Sequence, residues 1–411
     1  MKNAFRTIFC QPAMLVLLFA AVILSGCQAV DYGFPRGSGA PTEPAVPESL
    51  PLKTGPAAGE LLGNGAVRVA LLLPKSAPGN GAAIAAEYRN AAELAIEARG
   101  LQSMELVIKD TGGTAAGAIA RTEEAVREGS AIILGPVFSG SVTSAASVAR
   151  PQNRIMIAFS SDPSAASDGV FLMSFLPNQV VDRTVAYATG IGLNSFTAIL
   201  PQGAYGTLVE RQLRSTLARR GGVLNGVSRY EYNNESVVAA VQQVLPAVEQ
   251  SDAIFIPDGG TSPAAIARVL QAEGVKLRDK RLIGTGQWRS SKLGSAYLQG
   301  AIFADMDQTG FEAFKLQYKE RFQTDPSVNA GLGYDAVTLV ADLISTGNPA
   351  ALSRRNLERP AGFRGVTGIF RFMNDGETQR GLAVYQIQEG EAVVVDPAPQ
   401  SFGGGYEPAQ F

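Results

Sequence analysis

The side chains that could do chemistry in this chain are few. Its 411 residues include no histidine and two cysteines, Cys10 and Cys27. That removes the commonest general base, the usual zinc-binding imidazole and every Ser-His or Cys-His pair. Only carboxylate, lysine or serine chemistry is left, and no pair of acids stands at convincing spacing, so an enzyme is not expected. No cofactor or metal is expected either. What the residue types do suit is binding. Phe138-Ser139-Gly140 and Ser160-Ser161 bring hydroxyls, and the amides that start a helix at Ser139 suit a carboxylate. Tyr205, Asp258, Gln287 and Trp288 bring a phenol, one carboxylate, an amide and the sole tryptophan. Each has a plainer reading. Ser139 can be a helix N-cap, Ser160 and Ser161 can shape a turn before Asp162-Pro163, and Trp288 can be a packing residue.

Cys27 is a site of another kind. Lys2 and Arg6 precede an apolar run from Ala13 to Leu24, which is the length of a signal-peptide core and short for a membrane span. Leu24-Ser25-Gly26-Cys27 resembles the bacterial lipobox. The resemblance implies that residues 1–26 are removed and that the Cys27 thiol is joined to lipid. Two or three acyl chains, at about 0.8 kcal/mol per buried methylene, make a stable anchor. Gln28, where retained lipoproteins of enteric type carry Asp, implies the inner leaflet of the outer membrane. Residues 27–65 then carry recurring Pro and Gly with no apolar period, which predicts an unfolded linker. A net charge of −2 gives no electrostatic reason to expect nucleic acid.

The strand ends that hold the candidate residues follow from the pattern beyond Val67. VRVALLL (67–73), MELVIKD (104–110), AIILG (131–135) and RIMIAF (154–159) read as buried strands. Helical stretches at 82–100, with Gly100 as C-cap, at 114–129 and at 139–150, Ser-capped, alternate with them. The pattern restarts near residue 180, with strands TAIL (197–200), SRYEY (228–232), AIFIP (253–257) and RLIGT (281–285) between helices. Helices at 311–322 and 330–345 follow. The chain then turns β-rich, with GIFRF, a turn at Asn374-Asp375-Gly376, GLAVYQI and EAVVV. Strand–helix alternation of this kind predicts an α/β fold with two doubly wound parallel sheets, and ligands in such sheets sit beyond the carboxyl ends of the strands.

Five segments in this order resemble a known family. VRVALLLP with Asn90-Ala91-Ala92-Glu93-Leu94-Ala95-Ile96, IKD (108–110), IILGPVFSGSV (132–142), IAFSSDPS (157–164) and YDAVTLVA (334–341) are similar to the type I periplasmic binding proteins of the Leu/Ile/Val-binding kind. The resemblance implies two Rossmann-like lobes joined by a three-crossing hinge. Lobe 1 would comprise 66–175 plus 306–346, lobe 2 would comprise 176–305 plus 347–397, and 398–411 would be a loose tail. It implies a ligand receptor of an amino-acid ABC transporter, with a small polar, carboxylate-bearing ligand in the cleft and a permease as partner. Ser139 with Ser160 or Ser161 would hold the carboxylate, and Tyr205 would close over it. The family's acid for the ligand ammonium would fall near Gln287, where GTGQW (284–288) has none, so that end would rest on Asp258. GTGQW and GFRGVTG (362–368) also resemble the lipoprotein branch known as penicillin-binding protein activators. That implies the alternative of a protein-interaction regulator, with a peptidoglycan synthase as partner.

Overall fold

The computed structural model describes residues 53–99, 102–403 and 409–410. Cys27, the leader and Gly100 lie outside them. No helix among the described residues is long and apolar enough to cross a membrane.

The first lobe is built in chain order from β1 (Glu60–Leu62), β2 (Val67–Leu73), α1 (Gly81–Arg99), β3 (Met104–Asp110), α2 (Ala115–Arg127), β4 (Ile132–Leu134), α3 (Ser139–Ala149), β5 (Ile155–Ala158) and β6 (Val170–Leu172). Its sheet runs β1-β3-β2-β4-β5-β6 and is parallel apart from β1. Every residue of β2 is buried. Val67, Val69, Leu71 and Leu73 join the core that includes Tyr88 of α1, while Ala70 and Leu72 join Ala118 of α2 and Val142 of α3. An apolar run without polar alternation is what a strand covered on both faces requires.

The second lobe repeats the plan with α4 (Pro177–Gly190), β7 (Ser195–Pro201), α5 (Ala204–Arg220), β8 (Val223–Tyr230), α6 (Asn234–Glu249), β9 (Ala253–Phe255), α7 (Ser262–Ala272), β10 (Arg281–Thr285) and β11 (Ile302–Met306). The chain then returns to the first lobe through α8 (Gln308–Phe322), α9 (Val328–Leu343), α10 (Arg354–Leu357) and a small sheet of β12 (Phe363–Gly365), β13 (Gly368–Phe372) and β14 (Thr378–Arg380). It crosses to the second lobe for β15 (Leu382–Gln388) and β16 (Glu391–Asp396), and β17 (Ala409–Gln410) then pairs in parallel with β12 as the fourth strand of the small sheet. The second sheet runs β8-β7-β9-β10-β11-β15-β16, with β15 and β16 antiparallel. This is the expected two-lobed α/β architecture.

The chain passes between lobes after β6, after β11 and between β14 and β15. Met306, the last residue of β11, lies opposite Leu382, the first of β15, so these crossings gather at the carboxyl edges of the parallel strands. Three of the expected boundaries need correction. Residues 347–380 were placed with lobe 2, but Leu352, Leu357, Phe363, Phe370 and Phe372 fill the first lobe's core. The third crossing is therefore at Gly381 and not at Gly347. The tail expected to be loose from 398 is held as far as it is described: Ala398 is buried in the second core, Gln400 accepts a bond from Arg364, and Phe402 lies under Arg371.

The linker expected to run to residue 65 also ends early, and the reason is a pair of buried cations. Arg68 and Lys109 are each 2% exposed. Arg68 donates to the Gly55 carbonyl at 2.8 Å and to Glu105 at 2.6 Å, and Lys109 donates to the Ala58 carbonyl at 2.5 Å while pairing Glu128 at 2.8 Å. A buried charge needs every partner it can find, so 53–65 is drawn onto the sheet and β1 covers the edge of β3. A fragment that starts at residue 66 is expected to be about 2–4 kcal/mol less stable than one that starts at 53, since hydrogen bonds to charged groups are worth about 1.5–3 kcal/mol each. Urea unfolding of both fragments measures this, and equal midpoints would show that 53–65 is dispensable.

Candidate functional site

The first lobe's wall is built at the ends of β2, β3, β4 and β5. After β2, the Lys75 ammonium is taken by Glu60 at 2.8 Å. At the end of β3, Asp110 accepts from the amides of Gly112 at 2.9 Å and Ser76 at 3.2 Å. Burial pushes its carboxyl up, but these donors outweigh it and hold the group below its ordinary value. The loop after β4 brings Phe138 to the N-cap position of α3, where no side chain bonds the helix amides. The expected serine cap is thus displaced by one residue: Ser139 is the first helical residue. The Phe138 ring, 38% exposed, folds over Gly113, where a Cβ would stand 3.0 Å from it. Gly113 has a φ of +70°, so glycine is required there on two counts.

After β5, the two serines part company. Ser160 is buried and its hydroxyl accepts the Asp162 amide at 3.1 Å, which is a turn-forming role. Ser161 is exposed. Asp162 begins the short turn Pro163–Ala165, which packs on α3. The Ser164 hydroxyl, opposed by burial and joined by the Ser164 amide and the Ser139 hydroxyl, holds the Asp162 carboxyl below its ordinary value. Ser139 therefore already has an acidic neighbour.

The second lobe's wall lies at the ends of β7, β8, β9 and β10. Tyr205, in the first turn of α5, donates its hydroxyl to the Pro257 carbonyl at 3.2 Å. Burial pushes this phenol up to about 12, opposed by the Thr285 hydroxyl and helped by Asp258. Asp258 is half-buried and accepts from Tyr230 at 2.7 Å and from the Gly259 amide at 2.9 Å. Exposed Tyr232 lies near it as well, and burial first, then this charge, raises that phenol. No lysine or arginine among the described residues lies within 4.0 Å of Asp258. Gln287 is exposed on the same edge.

Trp288 does not belong to the wall. It is fully buried, donates its indole N–H to the Ile256 carbonyl at 2.8 Å, and lies flat on β10 where Gly284 leaves room. A Cβ on Gly284 would come within 2.2 Å of the indole. Arg289 beside it pairs with half-buried Asp305 and stands 4.3 Å over the Tyr385 ring. The structure thus brings Tyr205, Asp258 and Gln287 to one edge, brings Phe138, Ser139, Ser160 and Ser161 to the other, and leaves Trp288 in the core. Tyr230, the last residue of β8, and Tyr232, two residues beyond the strand, were missed, although their spacing of two in SRYEY, read as a strand, would put them on one face. Among the described residues no group of acids, cysteines or histidines is arranged to hold a metal. What the walls offer is a set of free helix amides with hydroxyls on one lobe, and a carboxylate without a cation on the other.

Residues 66–392 match the profile of the family described as periplasmic binding protein. An uncharacterized protein of Rickettsia prowazekii (strain Madrid E) is 25% identical over 178 residues, a match that spans 43% of this chain and 47% of that protein's length. Among solved structures, one from Rhodospirillum rubrum, provisionally assigned to a branched-chain amino acid ABC transporter, superposes with a TM-score of 0.71 at 20% identity, over 80% of this chain and 99% of that one. An ABC transporter substrate-binding protein of Desulfitobacterium hafniense, in complex with Leu, gives 0.59 at 17% identity, over 80% and 99%. A solute-binding protein of Rhodopseudomonas palustris, in complex with benzoate, gives 0.58 at 19%, over 82% and 98%. At these identities the structures speak for the fold.

The division between wall and core is testable. Trp288→Ala is expected to cost about 3–5 kcal/mol, as large-to-small core changes do. Phe138→Ala, on a half-open wall, is expected to cost less than about 1.5 kcal/mol. Chemical denaturation of both variants checks the contrast, and similar losses would mean that Phe138 is a core residue too.

Proposed function

The chain belongs to the periplasmic binding protein family, and from that premise we propose that it is a solute receptor of the amino-acid ABC transporter type, tethered through a lipid on Cys27 at the inner leaflet of the outer membrane. The ligand is a small solute with an amine and a carboxylate. Asp258 carries this reading. It is a half-buried carboxylate with tyrosine hydroxyls and an amide about it and no cation of its own. Such a group is poised to take an ammonium, which supplies the charge that GTGQW lacks at Gln287. On the other lobe, the uncapped amides of α3 with Ser139 and Ser161 receive the carboxylate. Tyr205 and Gln287 close over the ligand as the hinge brings the edges together, and the closed form is what a permease would engage.

The motifs behind the regulator alternative have packing duties. In GTGQW, Gly284 admits the Trp288 ring. In GFRGVTG, Gly365 lies against the Asp335 carboxylate, which also accepts from the amides of Val366 at 2.7 Å and Thr367 at 3.0 Å. Both segments are explained without a protein partner.

Calorimetric titration with a panel of amino acids and short peptides tests the receptor reading. Micromolar binding of at least one amine-bearing carboxylate is expected, and Asp258→Asn is expected to weaken it by about tenfold to a hundredfold, the worth of a charged hydrogen bond. A panel without binding would count against the receptor, and an unaltered affinity in the variant would remove Asp258 from the site. For the anchor, Cys27→Ser is expected to move the protein from the membrane fraction to the soluble one, and unchanged fractionation would rule out the lipid.

A further inference from the structure

A cavity of the second lobe lies away from the crossings. It has a volume of about 750 Å³, within the range of small-molecule sites. It opens where β10 begins, between the end of α7, the turn Leu277–Asp279 and the segment that leads into β11. The strands are parallel, so this is the amino edge of the sheet, and the wall that carries Asp258 is at the carboxyl edge.

Its lining has an unusual charge. Lys276, Arg278, Lys280 and Arg281 are among the lining residues, and no aspartate or glutamate is. The chain as a whole has 35 basic and 37 acidic residues in 411, so a lining of this size would carry about one of each sign. Nor are these charges spent on ion pairs. Lys280 bonds the carbonyls of Glu249 at 2.9 Å and Ser251 at 2.6 Å, at the carboxyl end of α6. Arg281 bonds the Gly300 carbonyl. Arg278 has only Asp279 at 3.6 Å, with both side chains open to water, a pair of little worth. Three acids, Glu249, Glu273 and Asp279, line a smaller recess of about 350 Å³ that Lys276 and Lys280 also line. Beneath the cations the floor is apolar: Leu282 and Ala301 are buried, and Val275, Leu277 and Tyr297 pack on the second core.

We propose that this cavity is a second binding site, separate from the interlobe edges, for a small organic anion with an apolar body. The acid group of the ligand meets Lys276 and Arg278 at the rim, where exposed cations form charge-assisted hydrogen bonds. The body covers Leu277 and Tyr297 and removes apolar surface from water. A cation or a neutral sugar gains neither contact.

Fluorescence titration of the full chain with anilinonaphthalene sulfonate, an organic anion with an apolar body, tests the site. Saturable binding of about one dye per chain is expected, weakened by added salt. The exposed pair Lys276→Gln/Arg278→Gln is expected to lose about tenfold or more in affinity with an unchanged thermal melt, since it removes two charged contacts. Tyr205→Ala is expected to bind the dye as the unaltered protein does. Binding that does not saturate, a double variant of unchanged affinity, or loss of binding in Tyr205→Ala would each overturn the proposal. The amino-acid titration reads the other edge, so either site can fail alone.

Discussion

The two lobes are held in register by one buried guanidinium. Arg380, 7% exposed, is the last residue of β14 and stands at the third crossing. It donates to the Ser174 carbonyl of the first crossing at 2.8 Å and to the Thr367 hydroxyl at 2.9 Å, and it stacks on Phe175 at 4.2 Å. Its amide is bonded by Gln179 of α4 at 3.0 Å. Burial pulls the guanidinium down to about 10, against the pull of Asp335, so it remains charged at neutral pH. A buried charge costs several kcal/mol unless its donors are used. The arrangement that uses them fixes where Ser174, Thr367 and Arg380 must be. Asp335, fully buried in α9, answers from behind. Burial raises its carboxyl, the Thr367 donors, Arg380 and the Val366 amide draw it back, and the balance leaves it at about 6. The small sheet is placed by this network, which explains why 363–380 sits with the first lobe.

With the crossings fixed, the carboxyl edges of both sheets become the places where side chains can act without disturbing the core. The two walls are prepared to different degrees. On the first, Asp110, Ser160 and Asp162 are occupied in shaping their own loops, and the uncapped amides of α3 are what is left to give. On the second, the Asp258 carboxylate is already oriented by Tyr230 and by the Gly259 amide, so little ordering remains when a ligand arrives. Tyr232, 74% exposed, is the part of that wall with freedom to move.

Periodicity made the sheets legible because strands such as Val67–Leu73 are apolar throughout, and the helix ends carry ordinary capping signals. What escaped the sequence were long-range partners. Nothing near Gly55 or Ala58 shows that Arg68 and Lys109 will need their carbonyls, since the demand arises from residues 13 and 51 positions away. Trp288 read as a wall residue because it follows a strand end; only the 2.2 Å approach at Gly284 shows that it turns back over the strand. Residues 347–380 were assigned by an expected order of crossings, whereas their aromatic rings were the better guide: Phe363, Phe370 and Phe372 cluster with Phe171 of β6. The strand-end residues themselves were found in advance, since a candidate wall depends on where strands stop and local pattern does fix that.

The second lobe therefore has opposite chemistry at the two ends of one sheet. Its carboxyl edge presents Asp258 without a cation, and its amino edge holds a cavity lined by Lys276, Arg278, Lys280 and Arg281 and by no acid. Helix dipoles alone would produce the reverse sign at each end, because helix amino termini gather at the carboxyl edge of parallel strands. The side chains thus oppose the backbone field: an acid stands near the helix N-termini, where it is favoured, and cations stand near the helix C-termini, as Lys280 does over the carbonyls that end α6. Each charge is stabilised by the fold before any ligand arrives. That is why the lobe can leave these groups unpaired at both ends, while buried cations elsewhere, Arg68 and Lys109, require acids and carbonyls close at hand.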